Sequence, residues 1–350
     1  MIAVILGTRP EIIKMSPVIE ELRKRRVPHL VVHTGQHYSF NMDRIFFEEL
    51  NLPQPEYNLE VGSGTHAEET GKAMIRIESV LLKKRPDIVL VEGDTNTVLA
   101  GSLSACKTNF ARVGHIEAGL RSFDRTMPEE INRILTDHVS DYLFAPTEIS
   151  RQNLVREGIS DDKILITGNT IVDVILQQIP RARQLTPPAK GEYALLTLHR
   201  QENVDRMDRL ERILQGLTSL ARRFDLQVIY PVHPRTRKKI NDFGIHIDKS
   251  ICLLEPCGYL IFLRLIENAR LILTDSGGVQ EEACVLNVPC VTLRDNTERP
   301  ETLMVGSNVL AGTDPGSIVE KATKMINSPR RWRNPFGDGK AAVRIVDAIA

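Results

Sequence analysis

The sequence predicts an α/β protein made of two doubly wound domains, each with a parallel sheet covered by helices on both faces. Short apolar, β-rich runs alternate with amphipathic stretches in the first half of the chain, and the alternation starts again from Ala194. Strands that alternate with helices are typical of parallel sheets whose two faces are both buried. The length of 350 residues also favours two domains over one.

The strands of each predicted domain follow from their apolar runs. In the first half they are Ile2–Leu6, Leu30–His33, Ile88–Val91, Val113–Ile116, Tyr142–Ala145 and Ile164–Thr167. In the second half they are Ala194–Leu198, Val228–Val232, Ile251–Leu254, Leu271–Thr274 and Cys290–Leu293. Apolar residues at helical spacing predict helices between them, for example over Met15–Lys24 and Thr70–Lys84.

The boundary between the predicted domains lies near Gly168-Asn169. A segment with Pro and Gly, 184–191, also interrupts the pattern, but a helical stretch over 172–182 precedes it. That helix is expected to open the second domain, which gives a first domain over 1–168 and a second that starts at 169.

Composition and charge exclude several classes of protein. Lys plus Arg equals Asp plus Glu at 45 each, so the basic excess that nucleic-acid or membrane-surface binding requires is missing. The sequence contains neither an apolar segment long enough to span a membrane nor the basic start of a signal peptide. The five cysteines are scattered and form no C-x-x-C pair, which favours reduced thiols. Together these features predict a cytoplasmic protein.

Charged side chains follow the predicted strands of the first half, at the edge where open parallel sheets bind ligands. Arg9 lies at the corner between the first strand and a helix, and Lys14 lies about one turn further on, so both are candidates for anion binding. Acidic strand ends or helix starts occur at Asp94, Glu117 and Glu129. A single acid of this kind is usually a helix cap or a surface charge, but three crowded in a cleft would have the raised pKa values of general acids and bases.

The second half contains a glycine-rich strand end. Ser276-Gly277-Gly278 lies between a strand and a helix, where free amides and the helix dipole favour a diphosphate. Glu282, just over one turn into that helix, is placed to reach a ribose. A plain capped turn would have the same sequence. Two other strand ends carry histidines, His199 and His233, and each histidine alone is a weak signal. Arg299 follows the strand after the glycine-rich segment.

The sequence gives no support for metal or redox catalysis. It contains no G-x-G-x-x-G, no Cys/His cluster with zinc spacing, no calcium-type acidic loop and no G-x-S-x-G. We therefore expect neither a bound cofactor nor a metal ion.

Taken together, these segments resemble the non-hydrolysing UDP-N-acetylglucosamine 2-epimerases, over essentially the whole chain and in the same order. The resemblance rests on Gly7-Thr8-Arg9-Pro10-Glu11, Glu92-Gly93-Asp94-Thr95, His115-Ile116-Glu117-Ala118-Gly119-Leu120-Arg121, Pro128-Glu129-Glu130, Asp275-Ser276-Gly277-Gly278-Val279-Gln280-Glu281-Glu282, Thr297-Glu298-Arg299-Pro300-Glu301 and Asn334-Pro335-Phe336-Gly337-Asp338-Gly339.

The resemblance implies the glycosyltransferase-B fold, in which two Rossmann-like domains face a cleft, and a homodimer. It also implies that the last helix, within 341–350, returns to the first domain, so that the domains are 1–168 with 333–350 and 169–332. The implied reaction removes the carbon 2 proton while UDP leaves carbon 1. The resulting 2-acetamidoglucal then takes UDP back, and the proton returns to the opposite face.

The family's residue roles carry over to matching positions of this chain. The implied catalytic residues are Asp94, Glu117, Glu129 and His199. The implied contacts to UDP or substrate are Arg9, Lys14, Arg133, Arg200, His233, Ser276, Gly277, Gly278, Glu282 and Arg299. Which acid takes which proton is left open.

Two segments depart from the bacterial members, which are activated by a second substrate molecule. Here Ser39 replaces a glutamine in Gln36-His37-Tyr38-Ser39, and no arginine occurs between Val61 and Lys72. Weak or absent activation by substrate is therefore predicted.

The alternatives to a UDP-N-acetylglucosamine 2-epimerase are a transferase of the same fold, a nucleotide-sugar binding protein, a hydrolysing relative, and an epimerase for a related UDP-sugar.

Overall fold

The computed structural model describes residues 1–35 and 40–350. They form two compact units, Met1–Gln177 with Phe336–Ala350 and Gln178–Pro335. The domain bounds expected from the sequence, 1–168 with 333–350 and 169–332, stay predictions.

The first unit is built on a parallel sheet. Within the described residues it has seven strands: β1 (Ile2–Leu6), β2 (His29–His33), β3 (Tyr57–Asn58), β4 (Ile88–Glu92), β5 (Arg112–Ile116), β6 (Tyr142–Ala145) and β7 (Ile164–Ile166). Their order across the sheet is β3-β2-β1-β4-β5-β6-β7, and every neighbouring pair is parallel. The strand order therefore reverses between β1 and β4.

Helices connect these strands and cover the sheet. They are α1 (Arg9–Lys24), α2 (Phe40–Glu49), α3 (His66–Lys84), α4 (Asn96–Cys106), α5 (Pro128–Val139), α6 (Glu148–Arg156) and α7 (Thr170–Ala182), whose last residues belong to the second unit. Apolar side chains of β1, β2, β4 and β5 pack against those of α3 and α4 in one buried core. α1 begins with Pro10 in its first turn, as the sequence predicts, because a proline there gives up only an amide that has no helical partner.

The second unit repeats the architecture. Its strands are β8 (Tyr193–Thr197), β9 (Gln227–Pro231), β10 (Ile251–Leu254), β11 (Leu271–Thr274), β12 (Cys290–Thr292) and β13 (Asn308–Leu310), in the parallel order β10-β9-β8-β11-β12-β13. Its helices are α8 (Gln201–Val204), α9 (Met207–Phe224), α10 (Pro234–Asp242), α11 (Tyr259–Asn268), α12 (Gly277–Val285), α13 (Pro300–Met304) and α14 (Pro315–Asn327).

The α/β class with two parallel sheets is confirmed, and each predicted strand is present with its ends within one residue of the prediction. Two strands were not predicted, β3 and β13. With two and three residues they are too short to give a recognisable apolar run, and each lies at the edge of its sheet. Within 1–35 and 40–350, no helix has both the length and the apolar character that crossing a bilayer requires.

The last helix, α15 (Ala341–Ile349), packs on α1 in the first unit. The buried carboxylate of Asp173 in α7 caps it, because its two oxygens accept hydrogen bonds from the amides of Ala341 and Ala342 at 3.1 and 3.0 Å. A carboxylate from another helix thus satisfies backbone donors that the first turn of α15 leaves without helical partners.

Asp173→Ala should lower the free energy of unfolding by about 1–2 kcal/mol, because two buried helix-start amides lose their acceptor. Urea denaturation of both proteins measures the difference. Asp347→Ala on the same helix is the control: its carboxylate is 59% exposed and pairs with Arg25 at the surface, so the expected effect is below about 0.5 kcal/mol. Equal midpoints for Asp173→Ala and wild type would contradict the capping role.

Candidate active site

In the first unit, three of the predicted site residues belong to neighbouring strand ends. Strands β1, β4 and β5 are adjacent. Lys14 lies in the helix after β1, Asp94 follows β4 and Glu117 follows β5. The order reverses between β1 and β4, and open parallel sheets bind ligands at the carboxyl side of such a point. This end of the sheet is therefore the candidate site of the unit.

Lys14 connects two of these strand ends. Its Nζ lies 2.7 Å from Oε1 of Glu117 and 3.0 Å from Oε1 of Glu92. The three side chains are almost excluded from solvent, with exposed fractions of 9%, 3% and 1%. Asn169 adds a hydrogen bond of 2.7 Å from its Nδ2 to Oε1 of Glu117. The family resemblance implies that Lys14 contacts the substrate; in this structure its ammonium pairs with Glu117 and Glu92.

The backbone of Glu117 adopts a left-handed conformation, with φ of 68°. For a residue other than glycine this costs roughly 1–2 kcal/mol. Two hydrogen bonds hold the turn: the Ala118 amide donates to the Phe144 carbonyl and the Gly119 amide donates to the Asp137 carboxylate, each at 3.2 Å. Strain of this kind is concentrated at functional sites, which is consistent with a role for Glu117 in the chemistry.

Glu11 is a buried acid of α1 that the sequence analysis identified only as part of a motif. It accepts hydrogen bonds from the Gly7 amide at 2.6 Å, the Thr8 hydroxyl at 3.0 Å and the Thr95 hydroxyl at 2.6 Å. Burial raises the pKa of Glu11 to about 7, although these hydrogen bonds lower it in part. Because Thr95 follows Asp94, Glu11 also fixes the turn that presents this acid.

Asp94 is paired with an arginine. The guanidinium of Arg133 contacts both Asp94 and Glu130, and Asn132 donates a hydrogen bond of 3.0 Å to the Asp94 carbonyl. Asp94 keeps 30% of its side chain exposed, whereas Arg133 keeps only 3%. The arginine that the sequence identified as a ligand contact thus orients a candidate catalytic acid.

The two acids that open α5 have different environments. Glu129 is half-buried in the first turn, and Glu130 is buried. The Glu130 carboxylate accepts hydrogen bonds of 2.9 Å from the Ser122 amide, the Ser122 hydroxyl and the Phe123 amide, and it is the neighbour of Arg133. The sequence did not reveal this structural acid, since two adjacent glutamates give no sign of which one faces the interior.

His115, near the end of β5, stabilises the turn that follows β4. Its Nδ1 lies 2.6 Å from the Asp137 carboxylate and its Nε2 lies 2.8 Å from the Gly93 carbonyl. Arg121 contacts Asp137 at 2.7 Å. Burial alone would raise the pKa of Asp137, but the neighbouring His115 and Arg121 outweigh it and lower this pKa. The network fixes the turn before Asp94.

In the second unit the predicted residues also follow adjacent strands. β9, β8, β11 and β12 are neighbours. His233 follows β9, His199 follows β8, Ser276 follows β11 and Arg299 lies beyond β12. The order reverses between β8 and β11, so this edge is the candidate ligand site of the second unit.

Asp275 organises this edge. Its carboxylate accepts hydrogen bonds from the His199 amide at 3.0 Å and the Arg200 amide at 2.9 Å, and it lies 3.2 Å from the His199 ring Nδ1. Burial would raise the pKa of Asp275, but His199 and the two amides lower it more. His199 is 52% exposed. The acid therefore orients a histidine ring that stays open to solvent.

The helix α12 starts at the glycine pair. Ser276 is its N-cap residue and its amide donates to the Thr274 hydroxyl at 2.9 Å. A side chain at Gly277 would come within 3.1 Å of the Arg299 guanidinium, and the space around Gly278 is open. The start of α12 thus combines closely approachable backbone with an arginine, which suits a diphosphate.

Two acids of α12 are buried and hold charged or polar partners. The Glu281 carboxylate lies 3.0 Å from Nε of Arg299, which fixes that guanidinium beside the helix start. Glu282 is 6% exposed and interacts with the hydroxyl of Tyr259. Burial, with Glu282 nearby, raises the pKa of Tyr259 well above its usual value.

Arg200 lies near a buried ion pair. Its guanidinium is 3.6 Å from the Glu298 carboxylate, which Arg294 binds through two hydrogen bonds of 2.8 and 2.9 Å. Arg299 lies 3.8 Å from the same carboxylate. Three arginines therefore lie within 4 Å of one acid, and Arg200, whose contact to it is 3.6 Å, is the arginine best placed to bind an anionic ligand.

The other two predicted residues have local contacts. His233 is exposed and caps α10, where its Nδ1 accepts a hydrogen bond of 3.3 Å from the Arg235 amide. Arg9 is half-buried and its guanidinium lies 5.4 Å from the centre of the Phe46 ring.

Two parallel α/β units, one with acids around a lysine and one with arginines at a helix that starts with a glycine pair, are typical of enzymes with the glycosyltransferase-B fold. The profile of the family described as UDP-N-acetylglucosamine 2-epimerase matches residues 20–350. The chain belongs to the UDP-N-acetylglucosamine 2-epimerase family.

Individual relatives agree over the full length. The chain is 56% identical to the UDP-N-acetylglucosamine 2-epimerase of Methanocaldococcus jannaschii, over 99% of this chain and 97% of that one. A crystal structure of the enzyme of that organism in complex with UDP-GlcNAc and UDP matches with a TM-score of 0.95, 55% identity and 99% of each chain. The Neisseria meningitidis enzyme bound to UDP-GlcNAc matches with a TM-score of 0.91, 35% identity and 99% of each chain.

Glu11→Gln should remove one contribution to the pH dependence of the free energy of unfolding. Because the pKa of Glu11 is raised from 4.5 to about 7, the folded state holds its proton more tightly than the unfolded state. This contribution is complete at low pH and is lost as the pH rises through about 7. The free energy of unfolding of wild type, relative to that of Glu11→Gln, should therefore fall by up to about 3 kcal/mol between pH 5 and 7.

Urea titrations at several pH values measure this difference. Glu78→Gln, an exposed change on α3, is the control and should follow wild type at each pH. A constant gap between wild type and Glu11→Gln over this range would contradict the assignment.

Proposed function

We propose that the chain catalyses the reversible 2-epimerisation of UDP-N-acetylglucosamine to UDP-N-acetylmannosamine, by elimination of UDP to 2-acetamidoglucal and its re-addition. The observation that carries the proposal is the set of acids around Lys14 at the ends of β4 and β5. Proton removal from carbon needs carboxyl groups whose pKa is moved toward neutrality, and burial does this at Glu11 in the same cluster.

The first unit supplies the acid–base groups in this proposal. Asp94, Glu117 and Glu129 exchange protons with carbon 2 on its two faces, without an order being assigned to them. The carbon 2 hydrogen is only weakly acidic, so the simultaneous departure of UDP from carbon 1 helps its removal. The ion pair between Asp94 and Arg133 keeps one of these acids in a fixed orientation.

The second unit supplies the groups for UDP. His199, held by Asp275, and the arginines around Glu298 offer positive charge and donors to the departing diphosphate. Donors that are oriented in advance toward developing charge are usually the largest catalytic contribution. The glycine start of α12 lets the backbone approach the phosphates, and Glu282 is assigned to the ribose hydroxyls.

The comparisons support this substrate over others. A structure with 55% identity contains UDP-GlcNAc and UDP, and a second with 35% identity contains UDP-GlcNAc. The second candidate is an epimerase for a related UDP-2-acetamido sugar, because a Pseudomonas aeruginosa UDP-2,3-diacetamido-2,3-dideoxy-D-glucuronate 2-epimerase is 43% identical over 100% of this chain. A sugar transferase of the same fold is less favoured, since it needs no proton exchange at carbon 2.

Weak or absent activation by a second substrate molecule remains part of the proposal. Gln36-His37-Tyr38-Ser39, on which it partly rests, lies outside the described residues. Between Val61 and Lys72 the chain has no arginine to bind an additional phosphate. A requirement for UDP-N-acetylglucosamine to start the reverse reaction would contradict it.

We also propose a cytoplasmic homodimer, as the family resemblance implies. The exposed face of α3 offers a place for the contact, since Ile75 and Leu82 are 71% and 58% exposed and lie two turns apart on one side of the helix. Sedimentation equilibrium should give twice the mass of one chain, and Ile75→Glu should lower the measured mass toward that of a single chain. A single-chain mass for wild type would contradict the dimer.

The reaction itself is tested by isotope exchange. Incubation with UDP-N-acetylglucosamine in heavy water should give UDP-N-acetylmannosamine that carries deuterium at carbon 2, followed by NMR. Absence of exchange would contradict the epimerase and favour a transferase or a binding protein. Release of free sugar and UDP would indicate the hydrolysing reaction instead.

Asp94→Asn should lower kcat by about 10²–10³-fold, because the amide cannot exchange the proton of carbon 2. UDP binding, measured by calorimetry, should change little, since the nucleotide groups are assigned to the second unit. Asp162→Asn, an exposed change in the first unit, is the control and should leave kcat as in wild type. Full turnover in Asp94→Asn would remove Asp94 from the mechanism.

A further inference from the structure

The cluster around Lys14 contains more acid than base. Glu11, Glu92 and Glu117 are 1%, 1% and 5% exposed, and Lys14, at 7%, is the ammonium among them. Three buried carboxylates with one positive charge would leave uncompensated negative charge in a poorly solvated place, which is costly. At least one of the three acids therefore holds a proton near neutral pH.

The hydrogen bonds indicate which of the three acids keeps its proton to the highest pH. Glu11 accepts three hydrogen bonds and Glu117 has both Lys14 and Asn169. Across residues 1–35 and 40–350, the polar partner of Glu92 is Lys14, 3.0 Å away. An ionised carboxylate is stabilised by the donors around it, so Glu92, with the fewest donors, keeps its proton to higher pH than Glu11 or Glu117.

We propose that Glu92 is a positioning residue for the reaction: in its neutral form it lets Lys14 direct its charge to Glu117, and in its ionised form it competes for that charge. The inference rests on the proposed function, because it assumes that Glu117 takes part in the chemistry. Glu92 itself contacts Lys14 and acts through it.

The surroundings of Glu92 are consistent with this role. Burial raises the pKa of Glu92 well above its usual value; Lys14 opposes this, and Glu117 and Glu11 add to it. The other elements packed against β4 add little charge: β1 is apolar, the titratable residue of α4 is Cys106 at its far end, and His115 on β5 is engaged by Asp137 and Gly93. The charged groups that influence the ionisation of Glu92 are therefore those of α1 and of the turn after β5.

A pH dependence follows from the geometry. Near neutral pH Glu92 is uncharged and the Lys14–Glu117 pair is intact. As the pH rises, Glu92 ionises, draws Lys14 toward itself and places a second negative charge beside Glu117. The orientation of Glu117 is then weakened, so kcat should fall on the alkaline side while KM for the UDP-sugar changes less.

Glu92→Gln tests the proposal, because the amide has the same shape and never ionises. We expect the alkaline fall of kcat to move upward by about one pH unit or more relative to wild type. Glu157→Gln is the matched control: this acid of the first unit pairs with Arg121 at 2.6 Å, outside the Lys14 cluster, and the control should keep the wild-type profile. An identical alkaline limb in Glu92→Gln and wild type would overturn the proposal.

A second measurement needs no turnover. Infrared difference spectra should show protonated carboxyl groups that disappear as the pH is raised. Glu11, whose pKa is about 7, contributes one such band, which Glu11→Gln removes. The band that remains in Glu11→Gln should be missing when Glu92→Gln is added to it. If that variant does not fold, Glu92→Met, uncharged and of similar length, replaces it. A band that persists in the folded variant lacking both acids would overturn the proposal. Wild type without any epimerised product would instead contradict the proposed function and leave the spectral result standing.

Discussion

The first unit depends on one buried ammonium. Lys14 lies between the acids at the ends of β4 and β5 and makes ion pairs of 3.0 and 2.7 Å with them. Without it, two carboxylates would face each other in a place that water barely reaches, and leaving such charge unpaired costs several kcal/mol. The strained backbone of Glu117 is held by the neighbouring turn, so the lysine and the strand ends support one another.

The second unit uses a buried acid in a different way. The Asp275 carboxylate accepts hydrogen bonds from two backbone amides and lies beside the His199 ring, and these partners lower its pKa despite burial. Glu92, the last residue of β4 in the first unit, pairs with Lys14, and burial raises its pKa. Between these two acids, the one with more donors and a histidine beside it has the lowered pKa, and the one that pairs with a single lysine has the raised pKa.

The sequence was sufficient for the fold because buried parallel strands are continuous apolar runs, and every strand longer than three residues was identified. Candidate residues such as Asp94 and Ser276 were found because they follow those strands directly. The supporting acids were missed. Glu11 joins Thr95 across 84 positions and Asp275 holds His199 across 76, and no local pattern encodes contacts between residues so far apart.

Asp94 and Glu117 follow neighbouring strands, yet their surroundings differ. Asp94 keeps 30% of its side chain in contact with solvent and pairs with an arginine, whose charge is permanent. The side chain of Glu117 is 3% exposed and pairs with a lysine that a second acid shares. The charge opposite Asp94 is thus fixed, whereas the charge opposite Glu117 depends on the state of Glu92. An epimerase needs one group to remove a proton and another to return one, and two acids in unlike environments meet that need better than two in the same environment.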